Sequence, residues 1–260
     1  MLIAVLNGKR IYAEDAERGL DYCCPSCGEK VHLKKGAVRT PHFSHYSNSD
    51  CDWGGNQSEA HLRTKKLIYE HFLKLKTSEK DIVELEYPLG DANRIADIYL
   101  RMAQFNWQPI AIEIQKTPIS REEISIRTDS YFRTGVAVLW IVPATKKDIL
   151  KKCQKSLAMF RPSDYERWIH GFNFNKIFFF NYEKKNIIEA KLEAQERWIE
   201  ETDFGGGYWK TYKQYKKLNI LQKYPLDDAK FRLHWRDSFE RGGFVWPRGY
   251  RVDICNDRRC

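Results

Sequence analysis

Two carboxylates set inside otherwise apolar, strand-like runs constrain this chain more than any other feature. Residues 94–100 read RIADIYL and residues 109–115 read PIAIEIQ, which places Asp97 and Glu113 among isoleucines and alanines. Burying a carboxylate is costly unless a cation or a donor meets it, so a fold that takes in both must supply partners. Alternation along a strand predicts Ile95, Asp97 and Tyr99 on one face of the first run, and Ala111, Glu113 and Gln115 on one face of the second. Salt bridges from Arg94 or Lys116 on an exposed sheet would meet the need. So would a hard cation shared by Asp97, Glu113 and Glu59.

The flanking punctuation gives an order of elements. Ser58 is placed to cap a helix over SEAHLRTKKLIYEHFLKL, with Glu59 in its first turn. Strand-like runs follow at 82–89, 94–100 and 109–115, the first two separated by Gly90-Asp91-Ala92-Asn93. Ser120-Arg121-Glu122-Glu123 has the capping-box pattern of a second helix, and Gly135 suits its C-terminal stop. VAVLWIV at 136–142 is continuous and β-branched, as a strand covered on both faces would be. The expected order is helix, three strands, helix, strand.

Near the start, Cys24-Pro25-Ser26-Cys27-Gly28 has the spacing of a zinc knuckle, followed by His42-Phe43-Ser44-His45 and Cys51. A tetrahedral zinc site takes four ligands from these five. His45 and Cys51 are favoured beside the cysteine pair, with His42 the alternative. Such a closed site would serve folding rather than catalysis. Seven cysteines are an odd count, and Cys23, Cys153, Cys255 and Cys260 are expected to be plain thiols in a reducing, cytoplasmic setting.

The chain carries 44 Lys and Arg against 35 Asp and Glu in 260 residues and is 42% hydrophobic, which excludes a disordered chain. It has no apolar run of the roughly 18 residues that a membrane helix needs. Most of the excess charge lies in residues 205–260, with 13 basic and 6 acidic side chains and eleven aromatics, opening on Gly205-Gly206-Gly207. Cations that meet phosphates beside rings that stack on bases suit single-stranded or branched DNA, and RNA equally by composition. Lys210 and Lys213 are the named candidates there. The spacing of Tyr208, Tyr212 and Tyr215 predicts a mainly helical C-terminal region. The expected divisions are 1–57 as a zinc-binding module, 58–145 as a core, 146–204 as its extension, and 205–260 as the basic aromatic region.

Taken as an ordered set, these residues carry a resemblance. Asp97, then Glu113-Ile114-Gln115, is similar to the PD-(D/E)XK nuclease superfamily, with Gln115 where that pattern has a lysine. The CPxC and HFxH clusters, Ser58-Glu59-Ala60-His61 with Lys65, Arg94-Ile95-Ala96-Asp97, Arg127 with Tyr131, and Leu139-Trp140-Ile141 together resemble the competence protein CoiA family over roughly residues 1–145. The resemblance implies an α/β fold with a restriction-endonuclease-like mixed sheet flanked by helices. It also implies a metal-dependent DNA nuclease, endo- or exonuclease, of the competence, recombination or foreign-DNA-defence type. In that reading Asp97, Glu113 and the Ile114 carbonyl hold Mg²⁺ or Mn²⁺, Glu59 completes the shell, Gln115 positions water, and His61, Lys65, Arg127 and Tyr131 face the nucleic acid. The alternative is a catalytically inactive nucleic-acid-binding protein that recruits a recombination or defence partner.

Overall fold

The computed structural model describes residues 1–260 apart from 48, 52, 54–56, 202–204 and 257–260. An N-terminal sheet comes first, built from β1 (Ile3–Leu6), β2 (Lys9–Tyr12), β3 (Tyr22–Cys23), β4 (Lys30–Lys34) and β5 (His42–His45) in the order β2-β1-β3-β4-β5. It closes over its own small core of Ala4, Ala13, Tyr22, Val31, Phe43 and Trp53. Then come α1 (Glu59–Lys74), β6 (Ile82–Leu89), β7 (Arg94–Arg101), β8 (Ile110–Ile114), α2 (Arg121–Arg133) and β9 (Ala137–Pro143). This is the order expected from the sequence. Ser58 caps α1 by accepting from the His61 N–H, and Ser120 caps α2 by accepting from the Glu123 N–H. Gly135, at φ +74°, lets the Gly135 and Val136 N–H groups close the end of α2 onto Phe132 and Tyr131.

The remaining elements are α3 (Lys146–Lys151), α4 (Asp164–Phe172), β10 (Ile177–Asn181), β11 (Asn186–Glu201), β12 (Gly206–Pro225), β13 (Ala229–Arg236), β14 (Phe239–Arg241), β15 (Phe244–Trp246) and β16 (Gly249–Asn256). The C-terminal region is therefore made of strands, which corrects the helical expectation. The large sheet runs β12-β11-β10-β9-β8-β7-β6, with β16 pairing β13 and touching β9. Pairing is parallel for β8 with β9 and β9 with β10, and antiparallel elsewhere along that path. β9 is buried throughout at the centre of this mixed sheet. One apolar core lies on the α1 side, with Leu62, Ile68 and Phe72 against Leu85, Ile98, Ile112 and Leu139. The other lies on the side of α2 and α4, with Ile124, Tyr131 and Trp168 against Tyr99, Ala111, Val138 and Trp140.

The β6–β7 hairpin changes face partway along. Val83 and Leu85 belong to the α1-side core, yet Tyr87 and Leu89, of the same parity, pack against the opposite core. Across the hairpin, Ile98 and Ala96 divide in the same way. The switch falls between the pairs Leu85↔Ile98 and Tyr87↔Ala96, where Glu86 adopts φ +48°. A non-glycine residue in that conformation stores strain that its surroundings must hold. The expected sharing of a face by Asp97 and Tyr99 is corrected by this turn: Tyr99 packs on the α2 side, whereas Asp97 meets α1.

Candidate functional site

The register Leu85↔Ile98 and Ile98↔Ile112 carries Glu86, Asp97 and Glu113 to one level across β6, β7 and β8. The β7–β8 ladder ends at Ile98↔Ile112, and beyond it the Asp97 carboxylate takes the backbone's place, accepting the Ile114 N–H through Oδ2 at 3.0 Å. Its other oxygen, Oδ1, lies 3.0 Å from His61 Nε2 and 2.9 Å from Lys65 Nζ, one helical turn apart on α1. Lys65 is wholly buried and also meets Glu86 Oε1 at 2.8 Å. Glu86 in turn accepts the N–H groups of Leu2 and Ile3, so β1 is fastened to the same centre.

Electrostatics follow from this packing. Burial works against charge at Lys65, but Asp97 and Glu86 outweigh it and hold its pKa above the ordinary lysine value. Burial likewise opposes the Asp97 anion, yet His61 and Lys65 hold that carboxyl well below the usual range. Glu113, on the α2 side, contrasts with both. Its Oε2 meets the Arg127 guanidinium and its Oε1 accepts from the Tyr131 hydroxyl at 2.6 Å. Desolvation still pushes its pKa up to about 7, aided by the Asp97 charge and opposed by Arg127. Two carboxylates at one level of the sheet are thus driven in opposite directions, a pattern common in catalytic sites.

The other expected site residues fall as follows. Gln115 lies on the Glu113 face, its Oε1 3.5 Å from Arg127 Nη1, while Lys116 points to the Pro143 carbonyl and Asp148. Glu59 sits at the start of α1, but both of its oxygens accept from Thr40 of the N-terminal module. Lys210 and Lys213 lie on β12, both exposed. Glu86 was missed by sequence reading. Its only signal was a second acid in IVELEYPL at the position opposite Asp97, and alternation gives no warning of the face switch.

At the N-terminal module the ligand atoms of Cys24, Cys27, His45 and Cys51 lie within 4.8 Å of one another. Gly28, at φ +75°, turns the chain around the cysteine pair, and the Ser26 N–H points at Cys24 Sγ. His42 lies outside this group, its Nδ1 2.8 Å from the Thr40 carbonyl. Burial pushes the Cys24 thiol up to about 12, so a thiolate there needs a cation beside it. Three sulfurs and one imidazole form a donor set that fits zinc, and these residues could hold it. Cys23 and Cys153 are free, whereas Cys255 is disulfide-bonded, contrary to expectation; Cys260 lies outside the described residues.

A family model described as "Competence protein CoiA, nuclease-like domain" matches residues 57–198, and one described as "Competence protein CoiA, N-terminal domain" matches residues 8–54. Competence protein CoiA of Bacillus subtilis (strain 168) is 29% identical over 122 residues, a stretch that covers 46% of this chain and 31% of that protein. The match thus spans about a third of the relative's length. No solved structure matches. With more than half of its residues inside the nuclease-like family model, the chain belongs to the competence protein CoiA family.

Proposed function

We propose that this protein is a metal-dependent phosphodiesterase acting on DNA, in the competence-related setting that the relative's name indicates. The observation that carries the reading is the arrival of Asp97 and Glu113, from neighbouring strands, at one level where β7 and β8 part and Asp97 takes the Ile114 N–H. Asp97 and Glu113 are hard oxygen donors that would hold Mg²⁺ or Mn²⁺ together with the Ile114 carbonyl. When bound, the ion would supply Lewis-acid stabilisation of the phosphate and a water of lowered pKa. Lys65 and His61 hold the Asp97 carboxylate in place from α1. Gln115, whose Oε1 faces Arg127 and whose Nε2 donates to the Thr117 carbonyl, would orient a water through the remaining hydrogen of its amide. Glu59 enters through Thr40, tying the zinc-binding module to the helix that carries His61 and Lys65.

A second reading has its own observation. All four oxygens of Asp97 and Glu113 already have donors within the protein, so Arg127 and Tyr131 compete with any cation for Glu113. A nuclease-like binding protein without catalysis would keep that network closed. Incubating the protein with single-stranded, duplex and branched DNA, and with RNA, in Mg²⁺ or Mn²⁺ separates the two. Cleavage by wild type that Asp97→Asn and Glu113→Gln abolish, with DNA affinity kept, supports the enzyme. Absence of cleavage by wild type on all substrates in both metals leaves the binding protein.

A further inference from the structure

β11 and β12 form a hairpin whose outer part pairs with no further strand among the described residues. β10 pairs with β11 over residues 186–190, and among the described residues the outer pairs, from Glu196↔Thr211 to Glu201↔Gly206, have no third strand beside them. The register shifts between Ala194↔Lys216 and Glu196↔Thr211, so Tyr212–Tyr215 form an outbulged segment at the base of this arm. A lone two-stranded ribbon is marginal in water, so its retention asks for a staple and a purpose.

One face carries the staple. Trp198 stands opposite Trp209, edge to face with centroids 5.6 Å apart, and Trp198 lies so close over Gly207 that a Cβ there would fall 2.1 Å from the indole. That cross-strand aromatic pair holds the hairpin together, flanked by Glu196 and Glu200. The other face works against it. Arg197 stands directly opposite Lys210, and like charges so placed destabilise a strand pair. No carboxylate among the described residues pairs with either. The Lys210 ammonium rests 5.7 Å from the Tyr212 ring, a contact that leaves its charge uncompensated. Next along the same face, Tyr208 is 51% exposed. Lys217 differs, because Glu193 stands opposite it.

We propose that the Arg197–Lys210–Tyr208 face of this ribbon is a grip for single-stranded DNA, the two cations taking successive phosphates and Tyr208 stacking on an unpaired base. The inference rests on the reading of DNA as the ligand and adds to it the binding surface and the strandedness. By register the Arg197 face of the ribbon holds two cations against one acid, Glu201, and the other holds Glu196 and Glu200 with no cation, so charge complementarity favours the first. A stacking ring needs a base whose face is free, which a duplex does not offer.

The test is fluorescence anisotropy of a labelled oligothymidylate with the full chain, without added magnesium or manganese, across a salt series. Each lost phosphate contact on a single strand lowers the slope of log K against log salt by about 0.7, so Arg197→Gln with Lys210→Gln should lower it by roughly 1.4 and weaken binding about tenfold or more. Tyr208→Ala should weaken binding by about tenfold while leaving the slope unchanged. Lys217→Gln removes the same charge as Lys210→Gln and should change the slope far less. The double variant should melt no lower than wild type, because the repulsion is gone. Equal effects of Lys217→Gln and Lys210→Gln, or tighter wild-type binding to RNA or duplex, would overturn the assignment. Wild type that binds no nucleic acid overturns the DNA reading itself; wild type that binds but ignores the ribbon variants overturns only this surface.

Discussion

Lys65 Nζ stands 2.9 Å from Asp97 Oδ1, with the lysine wholly buried and the aspartate side chain 14% exposed. A helix surface would normally send a lysine to water, so its burial is tied to the two acids that it compensates, Asp97 and Glu86. The pair joins α1 to the β6–β7 hairpin at the point where that hairpin switches faces, which makes the site's charge balance part of the fold.

Lys65→Met leaves Asp97 and Glu86 buried without their common cation. The expected loss of folding stability is about 3–5 kcal/mol, the range for removing one partner of a buried ion pair. Adding Glu86→Gln should restore part of it. Urea denaturation measures both, and a loss of no more than ~0.5 kcal/mol, typical of a surface change, would show that the pair carries no weight.

Metal removal tests the N-terminal module. Freshly purified, reduced protein should hold about one zinc per chain by elemental analysis, because binding energy at such a site is folding energy. Cys27→Ala should lose the zinc and lower the melting temperature, whereas His42→Ala should keep the zinc, since its ring lies outside the four-ligand cluster. Zinc-free wild type would end this reading.

Gln115 and Lys116 provide the register test. Gln115 meets Arg127 on the Glu113 face, and Lys116 turns to Asp148. Single-turnover cleavage by Gln115→Ala should fall by roughly the 10²-fold scale of a lost positioned group, while Lys116→Ala should change little. Gln115→Lys should keep activity. A large loss at Lys116 with none at Gln115 would refute the role given to the amide.

What the sequence made legible were features fixed by local chemistry. The Ser58 and Ser120 caps, the unbroken apolar β9 and the Cys24/Cys27 knuckle each state their own structure. Ile110, Ile112 and Ile114 also took the face opposite Glu113, as alternation requires. Two features were hidden because they depend on backbone irregularity. The left-handed Glu86 reverses alternation within a single hairpin, so Asp97 could not be assigned a face from its neighbours. In β12, the outbulged Tyr212–Tyr215 segment lets Tyr208, Tyr212 and Tyr215 fall at helical spacing inside a strand, and the long-range pairing with β11 overrode the local pattern.

His170, on α4, supplies a pH dependence that lies outside both candidate sites. Its Nε2 is buried without a hydrogen-bond partner among the described residues. Burial first, then the charges of Lys191 on β11 and Lys216 on β12, lower its pKa to about 4 from 6.5, and the Asn175 backbone offsets only part of this. Between those values the unfolded chain takes up a proton that the folded one refuses. Stability from this group is therefore complete above pH 6.5 and declines as the pH falls toward 4. His170→Leu keeps similar volume and cannot titrate. The stability of the variant minus that of wild type, followed by urea denaturation from pH 7 to pH 4, should rise by about 3 kcal/mol on the way down. Taking the difference cancels the carboxylates that both proteins share. A flat difference across that window would mean that His170 protonates as readily in the folded protein as in the unfolded chain, and that its buried nitrogen has found a partner.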